Sequence, residues 1–325
     1  MPPSRSPSLS ASLSVPPSPA SSVAESPALA PYRWLAAELH GLTANFAQIY
    51  FIPSAGIGLL LLAVLMLADR PAALTGLAAS VGASLIALVL RLPRDARRQG
   101  LFGYNAALTG IAFGALLQPD LTSAVWLSVC VCLTVIASAE LSRHRLPALT
   151  GPFVAVMALS WAMQPWLGLL PRTAALACDT GTPGFVFCSV GQVVFVAPLV
   201  LGLLTWYVLA LWNARATVWA LAAGVAVWLG IALLAQHWPA LAGQAGGIGV
   251  NGFLAALGLG VFHRRPGVRL AGAALAGLFC VVLGALLGPL GWPYFTLPFN
   301  LAAWALLAVT QGGQPVDPTP PAPQR

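Results

Sequence analysis

The sequence contains no lysine, and only 7% of its residues are charged, whereas 58% are hydrophobic. Soluble domains carry about 25% charged residues, so this composition excludes an ordinary soluble protein. The mean hydropathy is +0.85, and apolar runs of about 18 or more residues, each able to cross a ~30 Å hydrocarbon core as a helix, follow one another. The composition predicts an all-α integral membrane protein.

The chain has ten such runs, and each is expected to form a transmembrane helix. They lie at 46–68, 72–90, 100–118, 121–139, 148–170, 185–211, 217–236, 247–262, 268–288 and 293–311. The Ser- and Pro-rich residues 1–31 and the C-terminal residues 312–325 cannot bury enough apolar surface to fold, so flexible tails are expected there.

The arginines are distributed unevenly between the two predicted sides of the membrane. With a cytoplasmic N-terminus, thirteen of the 15 arginines fall on the cytoplasmic side, and only Arg70 and Arg172 fall outside. This bias sets membrane orientation, so the net charge of +7 does not indicate nucleic-acid binding. We expect a plasma membrane protein, in the inner membrane of a bacterium, with both termini in the cytoplasm.

Ionisable residues are missing from the interiors of the predicted spans. Ion-coupled transporters usually place such groups along their path, and an intramembrane enzyme needs a nucleophile with a base, or a metal. The sequence therefore favours passive movement of a neutral solute, with no catalytic residue, cofactor or metal. Cys178 and Cys188 flank a segment assigned to the outside, where conditions permit a disulfide.

Three pairs of motifs recur at nearly constant spacing, 146 residues for two pairs and 144 for the third. The pairs are LPALTGPF with WPYFTLPF, GLFGYNAALTGIAFG with GGIGVNGFLAALGLG, and QIYF with QVVF. Each half has five predicted spans, an odd number, so a duplicated unit would be inverted in the membrane. The predicted regions are a first transmembrane repeat (32–170), an external linker (171–184) and a second repeat (185–311).

Doubled polar residues lie within the spans: Gln48, Gln192, Asn105, Asn251, Thr150 and Thr296. Such residues either bond neighbouring helices or line a pathway. Pro152 and Pro298 would leave the carbonyls of Ala148 and Tyr294 without helical partners. These carbonyls would then suit a solute with several N–H donors, unless the prolines only kink their helices.

Together the six motif copies resemble the urea transporter family over roughly residues 40–311. The resemblance implies a channel-like protein through which urea diffuses down its gradient, assembled in the lipid membrane as a homotrimer with one pore in each protomer. It also implies a tilted, half-length pore helix in each half. The open alternatives are a channel for short amides, water or ammonia, and an ion-coupled secondary transporter.

The resemblance implies ten pore residues: Gln48, Phe51, Tyr104, Leu108, Thr150, Gln192, Phe195, Val250, Leu254 and Thr296. The glutamines would bind urea at opposite mouths, the aromatic and leucine side chains would form a flat slot, and the threonines would line the constriction. Two residues depart from the family's pattern. Val250 is aliphatic where an aromatic residue is common, and Gln192 stands where relatives can carry a carboxylate.

Overall fold

The computed structural model describes residues 30–173, 182–196, 198–238, 240–263 and 265–310. Within these ranges the chain is helical, as predicted, and its one β-type pairing is an isolated bridge between Leu117 and Pro171. The helices are α1 (Ala30–Gln48), α2 (Ala55–Ala68), α3 (Arg70–Val89), α4 (Arg94–Arg98), α5 (Tyr104–Leu116), α6 (Leu121–Arg143), α7 (Gly151–Leu167), α8 (Phe185–Gln192), α9 (Leu199–Leu234), α10 (Ala240–Phe262), α11 (Pro266–Leu287) and α12 (Leu297–Thr310).

Some expectations fall outside the described residues, namely those for residues 1–29 of the N-terminal tail, for the C-terminal tail at 312–325, for residues 174–181 of the external linker and for Cys178. Cys188 is bonded in a disulfide. The described residues from Ala37 onward belong to one compact unit, and every contact discussed below lies within it.

Five helical segments are long and apolar enough to cross a membrane: Arg70–Val89, Leu121–Arg143, Leu199–Leu234, Gly243–Phe262 and Pro266–Leu290. Three shorter helices, α2, α5 and α12, are also apolar. Large apolar side chains such as Leu67, Val89 and Leu121 are 74–81% exposed, which suits a surface in contact with lipid. The chain is an integral membrane protein, and the count of ten spans stays a prediction.

The predicted span 46–68 is interrupted. Helix α1 ends at Gln48, where the N–H of Phe51 donates to the Gln48 carbonyl and Phe51 adopts a φ of 62°. Helix α2 begins after Ser54, whose side chain accepts a hydrogen bond from the N–H of Ile57. The predicted span 185–211 is interrupted in the same way, because α8 ends at Gln192 and Phe195 also has a φ of 62°.

A second local geometry recurs at the next helix junction. Asp69 separates α2 from α3, and its carboxylate accepts from the N–H of Ala72 at 3.1 Å. Asn213, 144 residues later, kinks α9 with a φ of −151°, and its side-chain oxygen accepts from the N–H of Ala216 at 2.9 Å. The predicted spans 185–211 and 217–236 therefore meet in one kinked helix.

The two halves also pack their helices in the same order. Helix α3 packs on α5 and α6, as α9 packs on α10 and α11. The contact between α3 and α5 is close, since a Cβ on Gly110 would lie 2.4 Å from the Thr75 carbonyl oxygen. Helices α7 and α12 contact each other, and the residues that precede them form the candidate site.

Candidate functional site

Helices α7 and α12 follow two matching turns. They begin at Gly151 and Leu297, 146 residues apart, directly after Thr150 and Thr296. In each turn the residue before the threonine, Leu149 or Phe295, has a φ of 46°. A left-handed conformation costs a non-glycine residue about 1–3 kcal/mol and persists only where its surroundings impose it.

Asn105 imposes the first turn. Its Nδ2 donates to the carbonyl oxygen of Leu149 at 3.1 Å, and its Oδ1 accepts from the N–H of Phe153 at 3.2 Å. The hydroxyl of Tyr104 donates to the same Leu149 carbonyl. Asn105 is fully buried, and we call it a clamp because its hydrogen bonds hold this turn. Of the two interpretations of the doubled polar residues, bonding between neighbouring segments and lining of a pathway, these contacts support the first.

Asn251 clamps the second turn. Its Nδ2 donates to the carbonyl oxygen of Phe295 at 3.0 Å and to that of Gly247 at 2.9 Å, and its Oδ1 accepts from the N–H of Phe299 at 2.9 Å. Val250 stands where Tyr104 stands in the first half. The Phe295 carbonyl therefore has no tyrosine donor like the one at Leu149.

The two threonines contact each other. Their Oγ1 atoms are 2.7 Å apart, and Asn300 binds both, through Nδ2 to Thr150 Oγ1 at 2.9 Å and to the Thr296 carbonyl at 2.8 Å. The Oδ1 of Asn300 accepts from the N–H of Thr150 at 3.0 Å. Sequence reasoning missed Asn300 because it has no counterpart in the first half, where Val154 takes its place. Its polarity within an apolar helix was the one available signal.

The prediction for the two prolines is wrong. Pro152 and Pro298 are the second residues of their helices, so neither interrupts a helix that reaches back four residues. The carbonyl of Ala148 accepts from the N–H of Gly151 at 3.0 Å, and the carbonyl of Tyr294 accepts from the N–H of Leu297 at 3.0 Å. These are turn hydrogen bonds, and the carbonyls are not left without a partner.

One cavity, of about 80 Å³, lies beside the first turn. Three of the predicted pore residues line it, namely Gln48, Phe51 and Tyr104, together with Leu149. The Oε1 atom of Gln48 is buried and has no hydrogen-bond partner among the described residues. An unpartnered buried acceptor is costly, so this atom is suited to receive an N–H from a solute.

A larger cavity, of about 430 Å³, lies beside the second turn. Four predicted residues line it: Gln192, Phe195, Val250 and Thr296. Gln244 and Tyr294 also line it, and the Tyr294 hydroxyl donates to Gln244 Oε1 at 2.9 Å. Neither Gln244 nor Tyr294 recurs in the first half, so no repeat in the sequence pointed to either side chain.

Three predicted pore residues line neither of these two cavities. Thr150 is fully buried but bonds to Thr296. Leu108 and Leu254 are fully buried in the helix core. The structure thus brings seven of the ten predicted residues to a cavity wall, and their roles in transport stay predictions.

The two cavities share one chemical property: among the described residues, every one that lines them is uncharged. Each lining contains both amide or hydroxyl side chains and aromatic or aliphatic ones. Uncharged polar groups of this kind, held between apolar helices, are typical of a membrane transport protein for a neutral solute.

The chain matches the urea transporter family over residues 6–176 and 182–325, and it belongs to that family. The resemblance drawn from the six motif copies is confirmed. The family transports urea across membranes and is not a family of enzymes. A comparison with curated protein sequences found no match.

Proposed function

We propose that the protein is a channel through which urea diffuses passively down its gradient, without coupling to an ion. The observation that carries this proposal is that the lining of both cavities, as far as the structure describes the chain, is uncharged. Ion-coupled transporters place ionisable groups along their path. A free ion entering either cavity would lose its hydration without a compensating charge, which is far more costly than for a neutral molecule.

The proposed route runs along the contact between the two halves, from the Gln48 mouth to the Gln192 mouth. Both cavities carry residues of both halves: Phe262 lines the first and Phe153 lines the second. The ring of Phe51 also packs on that of Phe299, with centroids 5.9 Å apart. These contacts support a shared wall, in which Leu108 and Leu254 would lie behind the aromatic residues.

Urea is planar, with four N–H donors along its edges and one carbonyl acceptor. Gln48 Oε1 is a buried acceptor placed at one cavity, and the Thr296 hydroxyl at the other cavity can donate or accept. Phe51 and Phe195 would cover the flat faces of the molecule. Selection would rest on shape and hydrogen bonding, because these groups replace the water around urea.

For the architecture we propose two inverted repeats of five spans. The support is the recurrence of local geometry: a φ of 62° at Phe51 and Phe195, a φ of 46° at Leu149 and Phe295, and one asparagine clamp in each half. Helix α8, with 8 residues, has the length of a half-membrane pore helix. The homotrimer, the cytoplasmic termini and the bacterial inner membrane belong to the same proposal.

A second candidate function is transport of larger neutral amides. It is favoured by the volume of the second cavity, about 430 Å³ against about 80 Å³ for the first. Val250 stands at this cavity in place of an aromatic ring. Comparing methylurea and acetamide with urea in the assay below separates the two candidates.

The test is stopped-flow urea uptake by proteoliposomes containing the wild type, Gln48→Ala or Gln118→Ala. Gln118 is the matched control because it is an exposed glutamine outside both cavities. We expect urea uptake by wild-type vesicles well above that of empty vesicles. Gln48→Ala should lower the rate about tenfold, because it removes one hydrogen bond to urea, and Gln118→Ala should not change it. Wild-type uptake equal to that of empty vesicles would refute the proposal.

A further inference from the structure

Asn300 has an orientation that its backbone partners determine. Its Oδ1 lies 3.0 Å from the backbone nitrogen of Thr150, which can only donate. Its Nδ2 lies 2.8 Å from the carbonyl oxygen of Thr296, which can only accept. Nδ2 therefore carries the two protons, and the second is donated to Thr150 Oγ1 at 2.9 Å.

The direction of the bond between the two threonine hydroxyls follows from burial. Thr150 is fully buried, and among the described residues the acceptor within reach of its proton is Thr296 Oγ1, at 2.7 Å. A buried hydroxyl proton without an acceptor is costly. Thr150 therefore donates to Thr296. The proton of Thr296 remains available, and Thr296 lines the larger cavity.

We propose that the two threonines have different roles, although the repeat makes them equivalent in sequence. Asn300 donates to Thr150, Thr150 donates to Thr296, and the Thr296 hydroxyl donates to the carbonyl oxygen of urea. Consecutive hydrogen bonds polarise one another, so Asn300 and Thr150 are positioning residues that strengthen the Thr296 donor. This inference rests on the proposed passage of urea through the larger cavity.

The sequence carries the asymmetry that this relay requires. The position 146 residues before Asn300 is Val154, which cannot donate to either threonine. The burial of the two threonines agrees with their different roles, since Thr296 is 5% exposed and Thr150 is 0% exposed. Only the second half therefore supplies the amide that orients the pair.

The test compares uptake of urea and thiourea by proteoliposomes containing Thr296→Val or Thr150→Val. Thiourea presents sulfur, a weaker acceptor than oxygen. Thr296→Val is expected to lower urea uptake about tenfold, as loss of one hydrogen bond predicts, and thiourea uptake less, so the urea-to-thiourea ratio falls. Thr150→Val is expected to lower urea uptake only about threefold, because the Thr296 donor remains but loses its polarising partner.

Thr205→Val is the matched control, since Thr205 is also fully buried but bonds to the Leu201 carbonyl of its own helix at 2.8 Å. It should leave both rates unchanged. Asn300→Leu, checked for a monodisperse fold, should lower urea uptake to about the same extent as Thr150→Val, because both variants remove a polarising partner of the Thr296 donor. Equal losses in Thr150→Val and Thr296→Val, or an unchanged ratio in Thr296→Val, would overturn the inference. Wild-type vesicles that take up no urea would instead refute the proposed function, and the inference with it.

Discussion

Replacing either clamp asparagine with leucine should destabilise the protein, and the two costs should differ. In Asn251→Leu, the Phe295 carbonyl and the Phe299 N–H both lose their side-chain partner. The leucine is close in volume, so the main effect is the loss of hydrogen bonds in a fully buried place. Each unsatisfied buried group costs about 1–3 kcal/mol, which gives about 2–6 kcal/mol for the pair.

Asn105→Leu should cost less, because its turn has a second donor. The Leu149 carbonyl keeps the hydroxyl of Tyr104, so only the N–H of Phe153 is left without a partner. One unsatisfied group predicts about 1–3 kcal/mol. The double variant Tyr104→Phe with Asn105→Leu removes both donors to Leu149 and should then match Asn251→Leu.

The assay is thermal unfolding of the purified protein in detergent, followed by intrinsic fluorescence, with Thr205→Val as a control for a buried polar group away from the turns. The expected order of stability is wild type, Asn105→Leu, then Asn251→Leu and the double variant together. If Asn105→Leu alone is as unstable as Asn251→Leu, the tyrosine does not support its turn. If neither single variant is destabilised, the asparagines are not clamps.

Three further predictions concern single residues. Phe195→Gly should leave the turn unstrained, because glycine adopts a φ of 62° without strain, although the loss of a ring that packs on the core lowers stability. The variant should lose discrimination between urea and methylurea in vesicle uptake; retained discrimination would show that this ring is not a wall. Asp69→Ala should lower the unfolding free energy by about 1 kcal/mol more than Asp69→Asn, because asparagine keeps the helix cap at Ala72; equal losses would contradict the capping role. The pKa of His263 lies below its usual 6.5, first because of burial and then because of the charge of Arg265. The free energy of unfolding should therefore fall as pH drops through 6.5, because the unfolded state binds more protons there. Arg265→Gln should raise the pKa of His263 measured by NMR titration, and a wild-type pKa above 6.5 would contradict this.

The repeat in the sequence led to most of the candidate site. Gln48 and Gln192, Phe51 and Phe195, and the two threonines were chosen because they recur at a fixed spacing. The structure brings all but Thr150 to a cavity wall. A fixed spacing is informative here because duplicated residues that keep their local geometry occupy matching places in both halves.

The helix ends could not be predicted, because hydropathy does not change where the backbone turns. The run 46–68 reads as one apolar span, yet Phe51 enters the left-handed region, a conformation that glycine usually supplies. The run 148–170 likewise hides a helix that begins only at Gly151. The predicted span begins three residues before the helix does, so Ala148 lies outside the helix and its carbonyl was never due to bond with residue 152. This accounts for the wrong prediction about the proline carbonyls.

Residues without a duplicate were the other gap. Asn300 and Gln244 give no repeat signal, and their partners, Thr150 and Tyr294, are 150 and 50 residues away in the chain. Only the folded arrangement brings these polar groups together. A search of the apolar helices for single amide side chains would have found both.

Passive passage of urea determines the ratio of its two unidirectional fluxes across the membrane. Radiolabelled urea would be followed in both directions across proteoliposome membranes that hold a fixed urea ratio, with and without opposing proton and sodium gradients. For a passive channel we expect the flux ratio to equal the urea concentration ratio under every ion gradient. A flux ratio that shifts with either gradient would show that urea movement is coupled to an ion.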